Sequence, residues 1–465
     1  MAPGHILPVV NMVKLFASRG VKATIVTTPL NAPSIAKSID RIPSTFPKID
    51  LKILTFPSKE AGLAEGIENV HSVTDRETYI KLLKATSLFQ RPLGEAMQEL
   101  RPHALVADVF FPWATDVASK YGIPRLIFHG TSFFSMCVAE SLAKHKPHKN
   151  VQSDTEQFIV PGLPDQINLT RLQLSDDTRL GMENDVTKLL TRAKEMEERS
   201  FGILVNSFYE LEPAYADHYR DVVGNKAWTV GPVTFCGDRA PREDNQECLT
   251  WLNRKNPNSV VFCCFGTSTR LSDSQLYEIA MGLEASGQQF IWVVRREKKN
   301  GVEEKWLPEG YEERIEEKGL ILRGWAPQVL ILNHEAVGGF VTHCGWNSVL
   351  EGISAGVPMV AWPVFAEQFY NEKLITDLLG IGVGVGCQKW VALVGDFVRR
   401  EKIEKAVKEL MVGEKAEEMR KRAKALGEKA SSAVEQGGSS YSDTSALIEE
   451  LKNYRTLENA SSHQM

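Results

Sequence analysis

Short β-branched or apolar runs recur along this chain between segments of helical periodicity, and that alternation narrows what it can fold into. In the first half the runs are ATIVTT (23–28), ALVADVF (104–110), RLIFHG (125–130) and GILVNSF (202–208). In the second half they are SVVFCCFG (259–266), FIWVVR (290–295), LILRGW (320–325), GGFVTHCG (338–345) and PMVAWP (358–363). Several are apolar at every position, not at alternate ones, which suits strands covered on both faces. Such strands alternating with helices predict parallel, doubly wound sheets, an α/β fold class.

Length sets how many sheets to expect. At 465 residues the chain exceeds what one core holds, so two domains are expected. The polar, aperiodic stretch TFCGDRAPREDNQE reads as a linker over 234–247. The expected organisation is a first domain over 1–233, a second over 248–434, a last helix over 435–454 packing back on the first domain, and a disordered tail over 455–465. Within 400–431, dense in Lys and Glu, Ile403, Val407, Leu410 and Met411 form one stripe of an amphipathic surface helix.

Composition excludes several classes of function. With 43% hydrophobic and 24% charged residues this is an ordinary globular chain. A net charge of −5 argues against a nucleic-acid partner. No apolar run approaches the ~20 residues that span a bilayer. Seven scattered cysteines without metal spacing read as free thiols in a reducing compartment. A cytoplasmic monomer with no membrane span is expected.

The stretch FVTHCGWNSVLEG (340–352) carries the chemistry. An apolar strand ends here in hydrogen-bonding groups and runs straight into a helix. Ser348-Val-Leu-Glu351 fits a capping box, so the helix is expected from about Ser348, closing at Gly356 and Pro358. Its amino end carries roughly half a positive charge and free N–H groups. Gly345 lets a ligand approach, and His343 and Asn347 add donors for a diphosphate. The plainer alternative is that Ser348 and Glu351 cap, Trp346 packs and His343 is a satisfied buried histidine. The concentration of these residues at one corner favours the ligand. A second corner, FGTSTRLSDSQL, offers Gly266, Thr267 and Thr269, though an ordinary hydroxyl-stabilised turn would read the same. GVGVG (382–386) lacks dinucleotide-loop spacing, HEAVG (334–338) is no zinc motif because position 338 is Gly, and no Asp-x-Asp pair is present to hold a metal-bound diphosphate.

The stretch WAPQVLILNHEAVGGFVTHCGWNSVLEGISAGVPMVAWPVFAEQ, Trp325 to Gln368, resembles the signature box of plant family-1 UDP-sugar-dependent glycosyltransferases over its whole length. RGVKATIVTTPLNA, ADVFFPWATDVASKYGIPRLIFHGTSFFS and GGSSYSDTSALIEEL are similar to the branch acting on phenolics and triterpenes. The resemblance implies two Rossmann-like domains facing across a cleft (GT-B). It implies that Trp325 stacks on uracil, with the Ala326 backbone and Gln328 on the nucleoside. His343, Asn347, Ser348 and Thr269, with Thr267 beside it, would hold the diphosphate, and Glu351 the ribose. Glu367 and Gln368 would bind sugar hydroxyls. Trp346 and a terminal Gln are associated with UDP-glucose, whereas a terminal His would suggest galactose.

A base near the acceptor oxygen is also needed, and a histidine suits that task. By residues alone His5, in PGHILP, is a turn histidine. The resemblance makes it the catalytic base, expected where the first strand ends and its helix starts, with Asp108 as its partner and Thr131 touching the sugar. The implied reaction is direct, inverting displacement of UDP from UDP-glucose, a co-substrate, with neither cofactor nor metal. The acceptor would be a small lipophilic metabolite, a phenolic such as a flavonoid or coumarin, or a triterpene sapogenin. One departure stands out: family members carry an apolar strand before the Gly-His, and only Met-Ala-Pro precedes it here. This predicts an unsupported sheet edge and a loosely held base. It also keeps open a sugar-nucleotide-binding protein with little turnover. A UDP-sugar epimerase is a further alternative.

Overall fold

The computed structural model describes residues 3–73, 75–237, 246–296 and 306–462. The chain forms two compact units, one of Met1–Phe133, Met182–Asp238 and Ser432–Met465, the other of Phe134–Gly181 and Arg239–Ser431. Residues 134–181, expected in the first domain, therefore group with the second. Of the expected linker, 238–245 lies outside the described residues; its flanks are helical, Val233–Cys236 and Gln246–Leu252.

In chain order the strands are β1 (Ala23–Thr27), β2 (Ile49–Ile53), β3 (Leu105–Asp108), β4 (Arg125–His129), β5 (Gln157–Val160), β6 (Ile167–Thr170) and β7 (Gly202–Val205). They continue as β8 (Ala227–Thr229), β9 (Val260–Cys264), β10 (Gln289–Val294), β11 (Gly319–Arg323), β12 (Val337–Thr342), β13 (Met359–Ala361) and β14 (Gly382–Gly384).

In the first unit β3-β4-β7-β8 form one parallel sheet and β1-β2 a separate parallel pair. The helix Pro3–Ser18 ties them together by packing. Met12, Leu15 and Phe16 lie against Leu126, Phe128 and Leu204, while Val10 and Ala17 lie with Ile25 and Ile49. Among the described residues β1 and β3 share no ladder, and both are mostly half-buried where β4, β7 and β8 are wholly or nearly wholly buried. The last helix, Ser439–Ser462, docks on this unit. Ser440 Oγ donates to the Gly231 carbonyl at 2.5 Å, and Asp443 Oδ2 accepts from Thr229 N at 2.8 Å and pairs with Arg220 at 2.9 Å. That helix runs past 454, where a disordered tail was expected, because no Gly or Pro interrupts 443–462. The rest of that tail, 463–465, lies outside the described residues.

The second unit holds a six-stranded parallel sheet of order β11-β10-β9-β12-β13-β14. Counted within the sheet this is 3-2-1-4-5-6, a doubly wound order whose ligand crevice opens where β9 and β12 lie side by side. Every residue of β9 and β12 is buried. Val261, Phe290, Trp292, Val341 and Trp362 share a core with the expected stripe Ile403, Val407, Leu410 and Met411 of the helix Arg400–Val412. An antiparallel hairpin, β5-β6, belongs to the same unit, and GVGVG supplies the edge strand β14. No helix among the described residues is long and apolar enough to cross a membrane.

Candidate active site

At the carboxyl end of β12 the chain turns sharply. Cys344 takes φ +63°, a left-handed conformation unusual for a side chain other than glycine, Asn or Asp, and costly unless its surroundings hold it. The hold is Asn371, whose Nδ2 donates to the Cys344 carbonyl at 2.8 Å while its Oδ1 accepts from Ser135 Oγ at 2.8 Å. Gly345 follows at φ −61°, ψ 135°, and the helix Trp346–Ser354 begins. The helix thus starts two residues before the expected Ser348, and the capping box does not form. Gln328 Nε2 donates to both Ser348 Oγ (3.0 Å) and Glu351 Oε2 (2.7 Å), engaging both side chains away from the helix end.

His343 is wedged between two backbones. A Cβ added at Gly266, the residue after Phe265 beyond β9, or at Gly345 would strike its ring. Its Nδ1 is buried without a partner, so the reading of a satisfied buried histidine does not hold. Burial, with the charge of Arg295 adding to it, pulls His343 down to about 4, so at neutral pH it is an N–H donor and not a cation. Thr269 Oγ1 is also buried without a partner. Leaving a buried polar atom unpaired costs roughly 1–3 kcal/mol, a cost that an oxygen-rich ligand would remove. Thr267 lies on the same turn, and its carbonyl accepts from Arg295 Nη1 at 2.5 Å.

Around this corner stand the other expected residues. Trp325, beyond the end of β11, is 61% exposed, a large aromatic face that its own core does not use. Ala326 is buried, and its carbonyl accepts from Gln328 N at 2.9 Å. Burial pushes the Glu351 carboxyl up to about 7, against the pull of the Gln328 amide. Trp346 is buried in the helix's first turn, next to Asn347. Glu367 precedes the helix Gln368–Lys373 and accepts from Asn371 Nδ2 at 3.3 Å. Gln368 Oε1 accepts from the backbone N–H groups of Val364 (2.9 Å) and Phe365 (3.0 Å), which orients its amide so that Nε2 is the donating end.

In the first unit His5 lies in the first turn of the helix Pro3–Ser18, at a helix start as expected. Its Nδ1 meets Asp108 Oδ2 at 2.8 Å, and its ring packs edge-on against Phe110 at 5.3 Å. Asp108 is 3% exposed and accepts from Phe110 N at 3.0 Å. Arg125 Nη2 donates to the Asp108 carbonyl at 3.1 Å, a buried guanidinium that desolvation lowers to about 10 while Asp108 works the other way. The expected loosely held base is therefore a histidine fixed by a buried carboxylate. Thr131, two residues after β4, has its Oγ1 buried without a partner.

Sequence reasoning missed Arg125, Arg295 and Asn371. The only signal for Asn371 was its place one helical turn after Glu367. Among the described residues no group of three or more His, Cys, Asp or Glu is placed to hold a metal ion.

Comparison with known proteins gives this arrangement relatives. The family model for UDP-glucoronosyl and UDP-glucosyl transferases matches residues 219–421. Scopoletin glucosyltransferase of Nicotiana tabacum is 51% identical over 463 residues, 98% of this chain and 97% of that protein. UDP-glucose flavonoid 3-O-glucosyltransferase 7 of Fragaria ananassa is 54% identical over 97% of this chain and 94% of its own length. Among solved structures, Glycyrrhiza uralensis UGT73P12 complexed with glycyrrhetinic acid 3-O-monoglucuronide superposes with a TM-score of 0.92 at 39% identity, covering 100% of this chain and 96% of that one. The fold is that of the plant GT-B enzymes, with two Rossmann-like parallel sheets. The chain belongs to the plant family-1 UDP-glycosyltransferases, in the branch that holds these scopoletin and flavonoid glucosyltransferases.

Proposed function

We propose that this protein transfers glucose from UDP-glucose to a hydroxyl of a small lipophilic phenolic or triterpenoid, with inversion to a β-O-glucoside. The single observation that carries the mechanism is the 2.8 Å bond between His5 Nδ1 and the buried Asp108 carboxylate. That bond sets the tautomer with the lone pair on Nε2, and Asp108 stabilises the imidazolium as the proton arrives. His5 takes the acceptor's proton, the oxygen forms a bond to the anomeric carbon, and the bond from that carbon to UDP breaks. The departing diphosphate is met by the amino end of the helix Trp346–Ser354, by Asn347, Ser348 and Thr269 with Thr267 beside it, and by the His343 N–H.

The nucleoside is assigned to Trp325, Ala326 and Gln328, its ribose diol to Glu351. The glucosyl hydroxyls are assigned to Glu367 and Gln368, with Trp346 shaping the same end and Thr131 on the acceptor side. Domain boundaries near 233 and 248, a monomeric state and a cytoplasmic location complete the proposal.

The test is incubation with UDP-glucose, UDP-galactose and UDP-glucuronate against a panel of hydroxylated phenolics and triterpenoids. Products are weighed by mass spectrometry, and their anomeric proton coupling is read by NMR. A β-glucoside from UDP-glucose is expected; an α-linked product, or sugar turnover that needs no acceptor, overturns the reading.

A further inference from the structure

The diphosphate corner contains many neutral donors, and the charge it needs comes from outside the signature stretch. A UDP-sugar brings two negative charges to a site where His343 is neutral and the helix contributes roughly half a positive charge. Arg295 and Arg296 follow β10 directly. The two differ. Arg296 Nη2 pairs with Asp273 at 2.7 Å on an exposed surface and is neutralised there. Arg295 is exposed as well, but it has no carboxylate partner among the described residues. The Cys264 thiol is held by burial at about 11, so no thiolate there balances it.

Its position is fixed by three links. β10 pairs with β9 in register up to Trp292 and Cys263, so Arg295 lies at the carboxyl end of the sheet beside the turn after β9. Its Nη1 donates to the Thr267 carbonyl. The adjoining Gly266 is pressed against the His343 ring, and the Arg295 charge is felt at that ring. A cation with no carboxylate partner among the described residues, at a turn where the buried Thr269 hydroxyl lacks a partner, fits an anion supplied from solution.

We propose that Arg295 is a positioning residue for the donor diphosphate, supplying the formal positive charge of the corner and holding the Gly266–Thr267 turn against His343. The inference rests on the reading that UDP docks at this corner. Because the guanidinium acts on phosphate charge, its loss weakens a nucleoside diphosphate and leaves a nucleoside almost untouched. Lysine keeps the charge but not the two-pronged geometry, so it restores part of the effect.

The experiment is calorimetric titration of the wild type, Arg295→Gln and Arg295→Lys with UDP and with uridine, at low and high salt. The expected result is UDP binding about ten- to a hundredfold weaker in Arg295→Gln, with uridine unchanged, partial recovery in Arg295→Lys, and a flatter salt dependence in Arg295→Gln. Equal UDP affinity in wild type and Arg295→Gln overturns the proposal while leaving UDP docking intact. Parallel loss of UDP and uridine, unrelieved by lysine, also overturns it, because it shows a merely structural turn. A wild type that binds uridine and UDP equally well overturns the diphosphate reading itself.

Discussion

The corner around His343 and the pair His5–Asp108 are built in opposite ways. The first stands on strands buried at every position, and its shape comes from backbone: a left-handed Cys344, two close glycines and a helix end. The second stands where a two-stranded and a four-stranded sheet share no ladder among the described residues, and its shape comes from one side-chain bond to a buried carboxylate. A diphosphate is recognised by many weak donors in fixed directions, which a rigid sheet end supplies. A proton needs one atom of the right basicity in one orientation, which a single carboxylate fixes. The difference implies that the two regions fail independently.

The largest expected effect breaks one region and spares the other. His5→Ala lowers kcat by at least ~10²–10⁴-fold, the usual contribution of a positioned base, and leaves the UDP affinity unchanged. Steady-state turnover with titration calorimetry reads both; a parallel loss of UDP binding would merge the two regions. Trp325→Ala acts in reverse. Losing a stacked base costs ~1–3 kcal/mol, so UDP binds roughly 5- to 150-fold more weakly while kcat at saturation changes little. Gly345→Ala is allowed by its backbone angles but meets the His343 ring, so any cost comes from displacing that ring. UDP affinity about tenfold weaker is expected, about what the loss of one charge-assisted hydrogen bond costs. Unchanged affinity would remove His343 from the diphosphate site.

The smallest effect depends on pH. Between about 4.5 and 7 folded Glu351 keeps a proton that the unfolded chain has released. Its contribution to stability therefore falls as pH rises through that window and is level above 7. Ribose hydroxyls donate best to the carboxylate, so UDP binding releases this proton below pH 7. Glu351→Gln should bind UDP several-fold more weakly than wild type at pH 8, with the gap closing towards pH 5.5. A gap that is constant with pH would show that the ionised carboxylate plays no part in holding the ribose.

How far the sequence carried the reading follows the same division. Strands buried on both faces were legible because their runs are apolar without alternation, as in VVFCC and the VGGFV of β12. The half-buried or very short β2, β5, β6, β8 and β14 gave no such run and were missed as strands. Most of the corner is one continuous stretch and could be read directly. What could not be read are the groups that reach the two sites across the chain: Arg295 to Thr267 over 28 residues and Asn371 to Cys344 over 27 at the corner, and Arg125 to Asp108 over 17 beside His5. The helix start was misplaced for the same reason, since Gln328 claims Ser348 and Glu351 from 20 and 23 residues away.

The most direct test of the account is the crystal structure of the protein soaked with UDP. The account predicts uracil flat on Trp325, ribose hydroxyls on Glu351, and the diphosphate at the amino end of the helix Trp346–Ser354 within hydrogen-bonding distance of His343 and Thr269. UDP density anywhere else, or a diphosphate turned away from that helix end, would contradict it.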